Sequence, residues 1–157
     1  FSAGIWFMGA VGDRFAKGGY RDDVSMEDRY RLLASVPEVR GVEMHYPNEV
    51  NEDTLPFIKR LTTDLGLKVV QVAPLLWADP RWRFGQFSNP DERLRREAID
   101  RAKRTLDIAA ELEAEVVVYW PAQDGYDYPF QCDHRRRLDL LVSGLCEMAD
   151  HNRQLRV

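Results

Sequence analysis

Short, almost wholly apolar runs recur along this 157-residue chain, each followed by a longer amphipathic segment, and that alternation limits the fold more than any other feature. Runs such as KVVQV and EVVVY lack the polar alternation of a half-exposed strand, which suits a parallel sheet covered on both faces. Strands are predicted over residues 2–8 (SAGIWFM), 41–46 (GVEMHY), 67–76 (LKVVQVAPLL) and 115–119 (EVVVY). Ser25 and Asp28 form the capping pattern that opens a first helix. A second covers about residues 54–65 and ends where Gly66 offers a left-handed cap. Asn89-Pro90-Asp91-Glu92 reads as the start of a third, with Asn89 as its cap and Pro90 as its first residue. It runs to about Ala114, with Leu94, Ala98, Ala102, Thr105 (or Leu106), Ala109 and Leu112 on its inner face. A fourth helix spans about residues 134–152, and residues 155–157 read as the first step of a fifth strand.

Four βα units in a row fit either an open doubly wound sheet or a (β/α)₈ TIM barrel. No glycine-rich phosphate fingerprint follows the first strand, which weakens the dinucleotide-binding form of the open sheet. Trp6, His45, Trp77 and Trp120 all fall at or just past the C-terminal ends of successive strands, where a barrel builds its catalytic face. Long aromatic loops follow strands one, three and four, whereas helix-to-strand links such as EVRG and LGLK are short. The barrel is therefore the expected architecture. A whole barrel needs eight strands and about 250 residues, so residues 1–157 are expected to be the N-terminal half of one barrel domain, its first four βα units. The chain opens without an initiator Met, directly in strand-like sequence, and is expected to be a trimmed piece.

Charge and composition narrow the partners. Against 26 acidic residues stand 22 basic ones, a formal net charge of −4, and no basic stripe of the kind that binds nucleic acid is present. No apolar run approaches the roughly eighteen residues of a membrane span. Cys132 and Cys146 are too few and too loosely spaced for a disulfide framework or a zinc knuckle. Cys146, in LVSGLCEMA, is expected to be a buried hydrophobe, and a reducing, cytoplasmic setting is expected.

Glu43 and His45 are two apart on a strand and point to the same face. If that face is the barrel interior, a carboxylate and an imidazole converge at the mouth, and His is the side chain most ready to move protons near neutral pH. A strand-end His that only satisfies a hydrogen bond is the plainer alternative. Trp6, Trp77, Trp82, Phe84, Phe87 and Trp120 form a second group. Flat rings line sites for sugars, whose C–H faces are apolar, although core packing accounts for any one of them. Gln123, Asp124 and Asp127 are candidate hydroxyl partners, against the usual solvated role of loop acids; His134 and His151 read as surface residues.

At these residues the chain resembles the xylose-isomerase-like barrels, a superfamily of sugar isomerases and epimerases. FSAGIWFMG resembles the family's first strand with its substrate-side Trp (Trp6), and GVEMHYP the second strand ending in the ring-opening His (His45). LLWADPRWRFGQFSNPDERLRREAIDRAKRTLDIAAELEAEVVVYW resembles the third loop, long helix and fourth strand, with pocket aromatics at Trp77 and Trp120. In xylose isomerase proper, an Asp three residues after the His orients the imidazole; here that position is Asn48, followed by Glu49. An amide can hold the ring but cannot stabilise an imidazolium by charge. The turn after Trp120 reads PAQDGYDY, without the family's glycine pair and Arg-Glu, which implies a sugar other than xylose.

The resemblance implies a metal-dependent ketol-isomerase acting on a small sugar, with His45 catalytic and Trp6, Glu43, Trp77 and Trp120 binding substrate. It also implies a divalent cation (Mg, Mn, Co or Zn) whose ligands lie on strands beyond this chain, so that no residue here is a metal ligand and the fragment alone is inactive. A homo-oligomer, dimer or tetramer, is expected. A sugar epimerase on the same barrel, a metal-dependent endonuclease of that fold, and an inert sugar-binding or assembly module are the alternatives; the acidic balance counts against the endonuclease.

Overall fold

Strands β1 (Ser2–Gly4), β2 (Gly41–Tyr46), β3 (Lys68–Pro74) and β4 (Val116–Val117) pair in parallel, in the order β1-β2-β3-β4, in a computed structural model that describes residues 1–122, 124 and 130–157. A doubly wound sheet reverses its order part-way across. This one does not, and its four units form a stretch of (β/α)₈ barrel wall. At the far edge of β4 a parallel bridge joins Val116 to Arg156, and the Val117 N–H donates to the Arg156 carbonyl at 2.9 Å, which continues the same order.

Helices α1 (Met26–Ala34), α2 (Leu55–Leu65), α3 (Glu92–Glu111) and α4 (His134–His151) follow the strands in turn. Val42, Met44, Val72 and Val117 bury themselves in one core with Leu33, Ile58, Leu106 and Ile108. Removing these side chains from water is the main force holding helices to sheet. Residues on the other face of the sheet, Glu43, His45 and Gln71, are only partly covered. In the pairing of β2 with β3, Glu43 lies opposite Gln71 and His45 opposite Ala73, after an irregularity at Val42/Glu43.

Several helix ends follow the sequence reading. The Ser25 hydroxyl accepts the Asp28 N–H at 3.1 Å and donates to the Asp28 carboxylate at 2.6 Å. Gly66 is left-handed (φ 64) and closes α2 by donating to the Thr62 and Thr63 carbonyls. Other boundaries differ. β1 stops at Gly4, because a 3₁₀ turn over Ile5–Met8 folds the Trp6 ring back over the glycine, where a Cβ would lie 2.3 Å from it. The cap of α3 is Asp91, whose carboxylate accepts the Arg93 and Leu94 N–H groups; Asn89 instead closes a turn onto the Asp91 N–H. Glu113 turns left-handed (φ 54), so the helix ends at Glu111, short of Ala114. Cys146 is exposed, not buried: it lies on the side of α4 that lines an open apolar groove with Val118, Leu141 and Val157. Among the described residues no helix is long and apolar enough to cross a membrane.

Candidate active site

The C-terminal ends of the strands bring four rings into one arc. Trp6 lies 4.2 Å from His45, His45 meets Trp77 edge-on at 5.0 Å, and Trp77 meets Trp120 at 4.8 Å. These rings, together with Glu43, Gln71, Ala73 and Val118, line a cavity of about 390 Å³. Trp6, Glu43, His45, Trp77 and Trp120, five of the residues that the sequence pointed to, thus line one cavity. A larger hollow of about 530 Å³, among Lys59, Thr62, Gly66 and Glu111, lies where α2 and α3 end and holds no comparable acid–base pair.

Beneath the rings sits a carboxylate that the motif reading did not assign. The chain leaves β2 through a cis Tyr46–Pro47 peptide and turns back, and the His45 carbonyl accepts the Glu49 N–H at 2.9 Å. One Glu49 oxygen accepts from the His45 backbone N–H and from the ring Nδ1, each at 2.8 Å; the other accepts the Asn48 amide at 2.7 Å. Glu49 is 4% exposed. Burial pushes its carboxyl up, but the bonds from His45 and Asn48 and the charge of the imidazole outweigh it and hold the group below its ordinary value. An ionised carboxylate only accepts, so Nδ1 carries a proton, and in the neutral ring Nε2 is the nitrogen that holds the lone pair. Among the described residues Nε2 has no hydrogen-bond partner. Asn48 therefore does not hold the ring itself; it anchors the carboxylate that does. The signal missed in the sequence was Glu49 itself, four residues after His45, a helical spacing that a strand followed by Pro does not advertise.

Glu43 lies one layer below His45, where its carboxylate accepts the Ser2 hydroxyl at 2.7 Å. The remaining aromatics are not at the site. Trp82 is 1% exposed, its indole N–H bonded to the Leu94 carbonyl and its ring covered by the Arg101 guanidinium. Phe87 is buried against Tyr119, and Phe84 is exposed beside Arg83. Asp124 spends its oxygens on the protein rather than facing the cavity. Gln123 and Asp127 lie outside the described residues. His151 is on the surface, paired with Asp107, and His134 is exposed.

A divalent cation of the kind that family resemblance implies requires several converging oxygen donors. Among the described residues no three His, Cys, Asp or Glu side chains come together, and of the two acids at the site Glu49 is committed to His45. These residues do not by themselves fit a metal.

A family model described as the xylose isomerase-like TIM barrel matches residues 32–157. The xylose isomerase of Thermus thermophilus is 30% identical over 95% of this chain and 40% of its own length. The chain thus spans about two fifths of that relative. Among solved structures, a D-psicose 3-epimerase determined with D-fructose superposes with a TM-score of 0.63 at 19% identity, over 85% of this chain and 45% of that one. An L-ribulose 3-epimerase superposes with a TM-score of 0.64 at 15% identity, over 96% and 45%.

Proposed function

The chain belongs to the xylose isomerase-like TIM-barrel family, and from that premise we propose that residues 1–157 are the N-terminal half of a single barrel whose whole protein interconverts an aldose and a ketose. The observation that carries this reading is the His45–Glu49 pair set under an arc of tryptophans. With Glu49 accepting from Nδ1, Nε2 is the base. It takes the proton of the anomeric hydroxyl, the bond between the anomeric carbon and the ring oxygen breaks, and the proton is delivered to that oxygen to leave the open-chain aldehyde. Glu49 stabilises the imidazolium formed between the two transfers, as a buried carboxylate does for a general-base His. Trp6, Trp77 and Trp120 hold the apolar face of the sugar and exclude water, and Glu43 takes a hydroxyl from below.

The divalent cation that the family implies is assigned to residues outside this chain, and the step above does not pass through it. A cytoplasmic homo-oligomer is the setting we assign. The test is incubation of the metal-loaded full-length protein with a panel of ¹³C1-labelled aldoses and ketoses, followed by NMR. The expected product is the ketose or aldose partner. A C3 epimer would assign the protein to the epimerases, and binding without turnover to a sugar-binding module; either outcome defeats the isomerase reading.

A further inference from the structure

We propose that Asp124 is a positioning residue that latches the loop after β3 to the loop after β4 and so sets the Trp77–Trp120 half of the aromatic wall. One carboxylate oxygen accepts the Gln86 N–H at 2.7 Å, the Ser88 N–H at 2.9 Å and the Ser88 hydroxyl at 2.6 Å. The other accepts the Phe87 N–H at 3.3 Å and the Tyr119 hydroxyl. Burial and the charge of Asp124 push the Tyr119 hydroxyl up, so it stays a donor.

The loop that receives this carboxylate is shaped for it. Gly85 is left-handed (φ 117), and a Cβ there would lie 2.7 Å from the Ser88 hydroxyl and 3.1 Å from the Asp124 carboxylate. Consecutive N–H groups pointing into one concavity bind an anion, and here the anion comes from the neighbouring loop. From the other side, Arg137 of α4 donates to the Phe84 carbonyl at 2.8 Å and to the Ser88 carbonyl. The Phe87 ring stacks on Tyr119 at 4.1 Å. The segment thus bound belongs to the loop that starts at Trp77, and Tyr119 directly precedes Trp120. These bonds join the two loops whose tryptophans meet at 4.8 Å.

The test uses full-length protein carrying Asp124→Ala, Asp124→Asn or Tyr119→Phe. Two coupled indoles give a far-UV circular dichroism couplet, read as the signal lost in Trp120→Phe. Asp124→Ala is expected to lose it. Asp124→Asn keeps one acceptor oxygen and can donate to Tyr119, and is expected to keep about half, as is Tyr119→Phe. On the sugar-isomerase reading, on which only this kinetic half rests, KM for the sugar rises about tenfold in Asp124→Ala, the equivalent of one charge-assisted hydrogen bond, with kcat within about threefold. A residue that merely supports the fold would lower Tm and leave the couplet and KM alone. Retention of the couplet in Asp124→Ala, or in both milder variants if Asp124→Ala does not fold, overturns the proposal, as does a lost couplet with wild-type KM. Should the protein turn over no sugar, the isomerase reading fails while the couplet still decides the latch.

Discussion

Glu49 shows how one buried oxygen can fix both the place and the protonation of a neighbour. It accepts from the backbone and the ring of the same residue, so His45 is held at two points and its Nδ1 proton is specified. The Asn48 amide then occupies the second oxygen, leaving little of the carboxylate unsatisfied in a site where an unpaired charge is costly. Glu49 sits below its ordinary value in the fold, so the stability it contributes is present above the unfolded carboxyl value of about 4.3 and is lost as pH falls through the lower folded value. Glu49→Gln is expected to cost about 1–3 kcal/mol at neutral pH, as for a hydrogen bond to a buried charge. Melting temperatures measured from pH 7 down to pH 3 check the sign: the gap between wild type and variant shrinks on acidification, and a constant gap would contradict the ionised pair. His45 was legible in the sequence because strand ends are where a barrel concentrates its chemistry. Its partner was not, since periodicity says nothing about how a turn through Pro47 aims the side chain two residues later.

At the level of elements, the four helices and four strands were readable from apolar spacing, but their ends were set by contacts that spacing does not carry. β1 is cut short by a ring folding back over Gly4, and β4 is only two residues long, with Tyr119 beyond it bonded to Asp124. The start of α3 makes the same point: Asn89 and Asp91 are both good caps, and which one serves depends on Asn89 being drawn to the Gly85 carbonyl at 2.6 Å. Since Asp91 caps the longest helix, Asp91→Ala is expected to cost about 1 kcal/mol, read as a lower urea midpoint at unchanged m value. An unchanged midpoint would mean that the first turn of α3 is held by its neighbours rather than by its cap. Asn48→Asp belongs at this level too, because it places a second carboxylate against Glu49 in the turn after β2. The family pattern suggests that an Asp restores function there; beside Glu49 it removes a donor and adds a like charge, so it is expected to weaken the turn.

Across the whole molecule, sheet order, strand-end rings and family membership converge on one side of one sheet. Helices cover the outer face with an apolar core, while the inner face presents Glu43 and Gln71 beside the arc of His45 and three tryptophans. That division, dry outside and polar within, is what a barrel wall needs if its interior is to hold a sugar rather than only side chains. The central role assigned to this face is the opening of a sugar ring by His45. The most direct measurement is the rate of the full-length protein and its His45→Ala variant on the same sugar, presented as the cyclic form and as freshly generated open-chain form, with metal affinity measured alongside. Loss of general acid–base help is expected to slow the cyclic form by about 10²–10⁴-fold, to leave the open-chain rate within a few fold, and to leave the metal bound. Equal slowing of both forms, or loss of metal together with activity, would contradict the assignment of His45 to ring opening.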